Sequence, residues 1–204
     1  MGKVLFLRKG ETHTKPVPLP AGYRRLAYVQ SSGTQYIDTG FKPNNNTRVI
    51  ADGQLVSTPS GNTALFGART AANSKNYAML FIPSNFRSDY NNVYTQTWAV
   101  SATIRRVYDK NKETTTIDGA AKSYTNAIFQ ADYNMAIFAI NSAGTAQWFA
   151  SMKLYSCQVY DNGTLIRDFQ PCINASGAVG LYDLVGKQFY GNAGTGVFTG
   201  SEAA

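Results

Sequence analysis

The chain has 204 residues, of which 44% are hydrophobic and only 15% are charged, and its net charge is +7. This length fits one domain, and the hydrophobic fraction is sufficient for a folded core, so general disorder is excluded. The single histidine, His13, excludes a zinc site built on two imidazoles, and its place among Thr, Lys and Pro argues against a histidine-based catalytic triad.

The first segment, residues 1–20, is predicted to be an extended arm. Its apolar run at residues 4–7 is followed directly by Arg8 and Lys9, and then by alternating prolines that hold a chain extended. Residues 1–25 contain six basic residues against Glu11, a net charge of +5, whereas the rest of the chain carries only +2. The apolar run is too short for a secretory signal and no stretch could span a membrane, so we expect neither a signal peptide nor a membrane partner.

The second segment, residues 21–200, is predicted to be a β-sandwich, followed by a short tail at 201–204. Most of it consists of short runs rich in β-branched and aromatic residues, and none carries a helical stripe. Asp118-Gly119 and Asn162-Gly163 are typical of two-residue hairpin turns. We therefore expect an all-β fold of two antiparallel sheets. The predicted strands are 25–30, 35–39, 47–56, 64–68, 77–82, 98–108, 114–117, 122–129, 133–140, 147–160, 165–169, 179–184 and 188–190.

Two smaller groups of residues have structural interpretations. A basic cluster is flanked by acidic residues, which indicates a solvated hairpin rather than a nucleic-acid-binding face, so no nucleic acid partner is expected. Its members are Arg105, Arg106, Lys110 and Lys112. Cys157 and Cys172 are too few for a disulfide framework and are predicted to be reduced and buried.

Both ends of the body resemble a known family. The body opens with LPAGY (19–23) and LAYVQSSGTQYIDTGF (26–41). It closes with KLYSCQVYDNG (153–163), RDFQPC (167–172) and the stretch from GLYDL (180–184) to Phe189 and Tyr190. Together they resemble the laminin-G-like, concanavalin A-like jelly-roll domains that are common in phages and gut-associated bacteria. The similarity covers residues 19–200. It implies two curved antiparallel sheets in a jelly roll and, in many members, glycan or protein binding.

The resemblance also bears on catalysis and metal binding. Glucanase relatives carry catalytic acids in a short Glu-x-Asp-type strand motif, which this sequence lacks, so a glycoside hydrolase is the least favoured function. We expect no enzyme activity, no catalytic residues and no cofactor. Calcium-binding members use clustered carboxylates, and Asp38, Asp52 and Asp183 could be proposed as ligands. Each also fits an ordinary turn or edge role, which we favour, so no metal is expected.

The arm and the resemblance together lead to a functional hypothesis. We expect a non-enzymatic surface protein of a phage virion, either a capsid decoration or a tail or fibre component, assembled in the host cytoplasm. The arm would add a strand to a neighbouring subunit, and the sandwich would face outward and bind host or mucosal glycans. The expected partners are other virion proteins, glycans and further copies of the chain. The predicted anchoring residues are Val4, Leu5, Phe6, Leu7, Arg8 and Lys9.

The alternative hypothesis is a soluble or cell-surface carbohydrate-binding module. Such sites stack aromatic rings on sugar faces and use polar side chains as hydrogen-bonding partners. Four aromatic residues in the least regular part of the body are the candidate glycan-binding residues: Tyr77, Tyr90, Tyr94 and Trp98. The competing interpretation is that these aromatic side chains fill the core or the contacts between subunits.

Overall fold

The structure, a computed structural model, describes residues 17–83, 85–99 and 101–202, and of Thr95 only the backbone. Helices, and with them any helical membrane span, are absent from these residues. They form eighteen strands: β1 (Arg24–Ser32), β2 (Ile37–Asp38), β3 (Thr47–Leu55), β4 (Thr63–Arg69), β5 (Asn76–Ile82), β6 (Asn85–Asn91), β7 (Val93–Trp98), β8 (Arg106–Asn111), β9 (Thr114–Ile117), β10 (Ala120–Ser123), β11 (Ala136–Ile137), β12 (Ile140–Ser142), β13 (Thr145–Gln147), β14 (Ser151–Asp161), β15 (Thr164–Ile173), β16 (Val179–Asp183), β17 (Gln188–Tyr190) and β18 (Thr199–Glu202). The predicted anchoring residues Val4, Leu5, Phe6, Leu7, Arg8 and Lys9 lie outside the described residues.

The strands form two sheets that pack face to face. The larger sheet has ten strands in the order β10-β9-β8-β3-β14-β1-β15-β16-β17, with β18 paired to β1. The smaller sheet has eight, with β13-β12-β4-β5-β6-β7 in a row and β11 joining β2 to β4. All pairings are antiparallel except that of β12 with β4. The predicted all-β, two-sheet sandwich is thus confirmed, and it is compatible with a jelly roll.

The alternation of β3 shows how the larger sheet forms one side of the core. Thr47, Val49, Ala51 and every second residue after them are buried, whereas the residues between them are partly exposed. This is the period of a strand with one buried face. The facing layer comes from the smaller sheet, whose Phe66, Met79 and other inward side chains join the same core.

Strand β5 departs from this alternation. Residues 76–81 are all buried, although β5 lies in an antiparallel sheet that has only one face on the core. Its inward residues Tyr77 and Met79 belong to the main core, while Ala78 and Leu80 belong to a separate small cluster with Ile140. The face of the smaller sheet that points away from the core, here called the outer face, is therefore covered at its centre.

The two hairpin turns form as predicted. Asn162 and Gly163 have φ angles of 47° and 80°, and Asp118 and Gly119 have φ angles of 50° and 79°. Both central residues lie in the left-handed region, as a type I′ turn requires. The sequence thereby determines the register of β14 with β15 and of β9 with β10.

Several predicted strand boundaries are wrong. The predicted strand 98–108 is interrupted, because β7 ends at Trp98, β8 begins at Arg106 and the described residues between them are not in a strand. Most of the predicted strand 122–129 is not a strand either. Strand β6 was not predicted, since its sequence Asn-Phe-Arg-Ser-Asp-Tyr-Asn lacks β-branched residues and strand propensity depends strongly on context. At the C-terminal end, β18 continues through Glu202, so Ser201 and Glu202 are part of the larger sheet.

Both cysteines are buried and unpaired, as predicted. Burial raises the pKa of Cys172 to about 11, against the opposing effect of Arg25. Burial also raises the pKa of Cys157 far above its usual range. Thiols in this state are inert side chains of the core.

Candidate functional site

Three of the four aromatic residues predicted to bind glycans belong to the core. Tyr77 is 0%, Tyr90 1% and Trp98 5% exposed. The Tyr77 hydroxyl lies 2.8 Å from two backbone carbonyl oxygens that share its one proton, and Trp98 Nε1 donates to the carbonyl of Ala120. A ring closed off from solvent cannot stack on a sugar, so the prediction is wrong for Tyr77, Tyr90 and Trp98. The competing interpretation, that these rings fill the core, is correct.

Tyr94 is the exception. It is 44% exposed and lies at the edge of the smaller sheet, on β7. The guanidinium carbon of Arg87, on the neighbouring strand β6, is 5.6 Å from the centre of the Tyr94 ring, which is within range of a cation–π contact. This pair marks one end of the outer face of the smaller sheet.

The centre of the outer face is built from small residues. A Cβ atom on Gly67 would lie 2.6 Å from the Cβ of Ala78 and 3.1 Å from Cγ1 of Ile140, so only glycine fits there without a shift. Gly67, Ala78 and Ile140 together with Ala64 and Leu80 form a surface that is here called the floor. The indole of Trp148 packs against these residues.

Trp148 is held at this position by its own backbone. Its carbonyl accepts a hydrogen bond of 2.7 Å from the N–H of Ala64, and its φ is 53°, in the left-handed region that a bulky residue rarely adopts. Such backbone strain persists only where the surroundings enforce it, and it is found preferentially at functional sites. The backbone of Trp148 thus holds its ring against the outer face of the smaller sheet.

Arg69 lies against Trp148. Its guanidinium carbon is 4.3 Å from the centre of the Trp148 ring, and its Nε donates to Oγ of the buried Ser142 at 2.8 Å. The parallel pairing of β12 with β4 places Ser142 opposite Arg69 and so makes this hydrogen bond available. The ring fixes the plane of the guanidinium and the hydroxyl fixes its rotation in that plane.

A buried carboxylate, Asp89, pairs with Arg87 and is influenced by the charge of Arg69. Asp89 is 2% exposed, and its Oδ1 is 2.9 Å from Nε of Arg87. Burial raises the pKa of Asp89, while the charges of Arg87 and, more weakly, Arg69 oppose that shift. Burial also lowers the pKa of Arg69, against the attraction of Asp89. Two guanidinium groups and one carboxylate thus share a poorly solvated surface.

We refer to this arrangement as the outer-face cluster. Its members are Arg69, Arg87, Asp89, Tyr94 and Trp148. It offers guanidinium hydrogen-bond donors beside aromatic side chains on a shallow surface. That combination suits a polar, extended ligand better than an apolar molecule that needs a closed cavity.

The larger sheet also carries aromatic and basic side chains on its solvent side, but they are paired with one another. Tyr28 and Tyr155 are in edge contact at 5.6 Å, and the guanidinium of Arg105 lies 3.6 Å from the centre of the Tyr155 ring. Arg105 Nε and Nη2 donate to the two oxygens of Asp52 at 2.9 Å and 2.6 Å. Two of the three guanidinium nitrogens of Arg105 are therefore engaged by a carboxylate of the protein.

The three aspartates considered as calcium ligands have structural partners. Asp38 accepts from the N–H of Gly40, and Asp52 pairs with Arg105 as described. Asp183 is fully buried and accepts from the N–H groups of Asp168 and Val185. Across 17–83, 85–99 and 101–202, groups of three or more residues able to ligate a metal are absent.

The basic hairpin is only partly as predicted. The side chain of Arg105 is 53% exposed, as the prediction of a solvated hairpin requires, whereas that of Arg106 is only 13% exposed and pairs with Asp118. Lys110, in contrast, is 0% exposed, so its interpretation as a solvated residue is wrong. Its position on β8 alternates inward with Tyr108, and its side chain enters the core between the two sheets.

Arg69 and Trp148 were not singled out by sequence reasoning. Ser142, which orients Arg69, is 73 positions away in the chain, and their contact depends on the parallel pair β4–β12. No local sequence pattern predicts this parallel pairing of strands. The one usable signal is the alternation Leu65-Phe66-Gly67-Ala68-Arg69, in which glycine and arginine share a face of a strand.

Comparison with known proteins adds no identification. No protein-family model matches the chain, and no curated protein matches it.

Proposed function

We propose that the chain is a non-catalytic surface protein of a phage virion, in which the lectin-like sandwich binds glycans through the outer-face cluster. The observation that carries the glycan-binding part is the stack of Arg69 on Trp148, oriented by Ser142. A preoriented guanidinium provides hydrogen-bond donors for sugar hydroxyl and carboxyl oxygens. The partly exposed ring of Tyr94 provides an apolar surface for a sugar face nearby.

The virion part of the proposal rests on sequence. The net charge of +5 within residues 1–25 and the alternating prolines support an anchoring role for the arm, through Val4–Leu7 and the basic pair that follows. The resemblance to sandwich domains common in phages supports the same location. Capsid or tail proteins and further copies of the chain are the proposed partners.

Binding is tested on a glycan array and by titration of the glycans that bind. Replacing Tyr94 by Ala removes an exposed ring of the cluster, and we expect binding to weaken by roughly tenfold, about 1.4 kcal/mol. Tyr155→Ala removes a tyrosine from the solvent side of the other sheet and serves as the matched control. Absence of binding to any glycan, with a folded protein at high concentration, would contradict the proposal.

Incorporation is tested separately with a chain that starts at Val17. The carbonyl of Val17 accepts a hydrogen bond of 2.6 Å from Arg25, so this boundary retains the contact between residue 17 and the body. Circular dichroism and thermal unfolding establish that the shortened chain is folded. We expect it to be absent from particles purified from a lysate that produces it, whereas the full chain is present. Equal amounts of the two chains in the particles would refute the anchoring role.

The second candidate function is a soluble or cell-surface carbohydrate-binding module. It is favoured by the fact that every member of the outer-face cluster lies within β4, β6, β7 or the residue after β13, so the cluster does not involve the arm. Glycan binding by the full chain without incorporation into particles would support this candidate over the virion protein.

A further inference from the structure

We infer that the glycan bound by the outer-face cluster is acidic and that Arg69 binds a carboxylate of the sugar. This inference rests on the proposed glycan-binding function and adds the chemical class of the ligand. It begins with the hydrogen-bonding capacity of Arg69. A guanidinium has five N–H donors, and only Nε of Arg69 donates to another residue of the described part, Ser142.

The comparison with Arg105 shows what completes such a stack. Arg105 lies on Tyr155 as Arg69 lies on Trp148, at 3.6 Å and 4.3 Å from the ring centres. Arg105 also holds both oxygens of Asp52, a bidentate pair. Arg69 has no carboxylate oxygen within 4.0 Å in the part of the chain that the structure describes.

The pKa values of the two arginines are shifted in opposite directions, which agrees with this difference in partners. The hydrogen bond to Asp52 raises the pKa of Arg105, whereas burial lowers the pKa of Arg69. The charged form of Arg69 is thus poorly stabilised by its surroundings. A ligand carboxylate on the two Nη groups would provide the same stabilisation that Asp52 provides to Arg105.

The net charge of the outer-face cluster is consistent with a ligand that carries one anionic group. Arg69 and Arg87 contribute two positive charges, and Asp89 contributes one negative charge that Arg87 already engages. One sugar carboxylate therefore leaves the cluster neutral. The planar fork of a guanidinium also matches the planar carboxylate of a uronic or sialic acid in a bidentate geometry.

The test uses acidic oligosaccharides and their methyl esters. The probes are sialyllactose, digalacturonate and a hyaluronan tetrasaccharide, each compared by calorimetric titration with the same sugar after esterification of its carboxylates. Because esterification removes the charge and keeps the sugar, any difference reports on the carboxylate. We expect at least one acid to bind and its ester to bind about 10- to 100-fold more weakly, as for loss of a charge-assisted hydrogen bond.

Three variants locate the effect. Arg69→Met removes the guanidinium and keeps an apolar side chain on Trp148, and we expect it to bind acid and ester equally weakly. Arg69→Lys keeps the charge without the fork and should bind the acid with intermediate affinity. Arg105→Met removes the stacked arginine of the other sheet and should bind like the unaltered chain. Thermal unfolding of each variant establishes that it is folded.

The outcomes separate the inference from the function. If neutral glycans and esters bind as tightly as the acids, or if Arg69→Met retains the preference for the acid, the glycan-binding function stands and the role of Arg69 is refuted. If no glycan of any charge binds the folded chain, the glycan-binding function is itself refuted.

Discussion

The side-chain nitrogen of Lys110 lies 2.8 Å from Oγ of Ser88, in a part of the core that excludes solvent. The Ser88 hydroxyl is in turn 2.8 Å from Oγ1 of Thr115, so three strands meet in one buried polar group. The same nitrogen is 4.7 Å and 5.6 Å from the ring centres of Tyr77 and Tyr90. Burial lowers the pKa of Lys110 to about 7. The sandwich thus contains an amine that changes its charge near neutral pH.

We predict that the protein becomes more stable as pH rises from 7 towards about 8, below the range in which the cysteines of the unfolded chain ionise while the buried thiols of Cys157 and Cys172 do not. The pKa of Lys110 is about 7 in the folded chain and about 10.5 in the unfolded chain, so in this range the unfolded chain holds a proton that the folded chain lacks. Stability therefore increases with pH, by up to about 1.4 kcal/mol per pH unit, and this gain is absent below pH 7. Asp89 and Glu113, which attract the charged amine, reduce the shift.

Urea unfolding at pH 7, 7.5 and 8 of the unaltered chain and of Lys110→Met measures this effect. We expect the slope to disappear in Lys110→Met, because methionine fills similar space without a titratable group. Lys112→Met, two positions along and partly exposed, is the control and should retain the slope. A slope that persists in Lys110→Met would assign the pH dependence to another group.

A second prediction concerns two buried tyrosine hydroxyls with opposite environments. The Tyr108 hydroxyl is buried and has no hydrogen-bond partner among the residues that the structure describes, whereas that of Tyr77 lies 2.8 Å from two carbonyl oxygens that share its proton. Tyr108→Phe removes an unpaired polar atom and should stabilise the protein by about 1 kcal/mol. Tyr77→Phe loses a buried hydrogen bond, although the Thr47 carbonyl still accepts from the N–H of Lys112, and should destabilise the protein by about 1 kcal/mol. Denaturant midpoints compare the two, and effects of the same sign would contradict the assignment.

The fold could be predicted from the sequence where local chemistry determines it. Asn162-Gly163 and Asp118-Gly119 specify their hairpins because only such residues accept two successive positive φ angles. Strand β3 was predicted because its inward residues alternate with polar ones. Strand β6 was not predicted because its inward residues include the polar Ser88, whose hydroxyl is paired in the core with Lys110 from the other sheet.

The candidate site could not be predicted in the same way. Aromatic residues in the middle of the chain were expected to bind glycans, but exposure is a property of the sandwich, and only Tyr94 lies on its surface. Arg69 and Trp148 come together through a parallel pair and a left-handed residue, neither of which has a sequence signal. Residue type alone therefore did not locate the outer-face cluster, because tertiary pairing determines which aromatic and basic side chains lie on that face.

A third prediction tests the floor beneath Trp148. Gly67→Ala places a methyl group 2.6 Å from the Cβ of Ala78 in the centre of the sheet, and we expect a loss of about 1–3 kcal/mol. The displacement of the sheet should also move Trp148. Because the chain has only two tryptophans, this movement should change its fluorescence emission. Gly61→Ala is the control, because a Cβ there meets nothing within 4 Å and should be neutral or slightly stabilising. An unchanged Gly67→Ala protein would refute close packing of this floor.

A fourth prediction contrasts a buried carboxylate with an exposed one. Asp183 Oδ1 accepts from the N–H groups of Asp168 and Val185 at 2.8 Å and 3.0 Å, and its side chain is 0% exposed. It thereby connects β15 to the turn after β16, where Gly186 leaves room for Oδ2. Asp183→Asn loses the charge in these bonds and should cost about 1.5–3 kcal/mol. Asp118→Asn removes a 56% exposed partner of Arg106, keeps a residue that tolerates positive φ, and should cost under about 1 kcal/mol. Since both changes exchange the same atoms, equal losses in urea unfolding would mean that burial does not determine the value of these carboxylates.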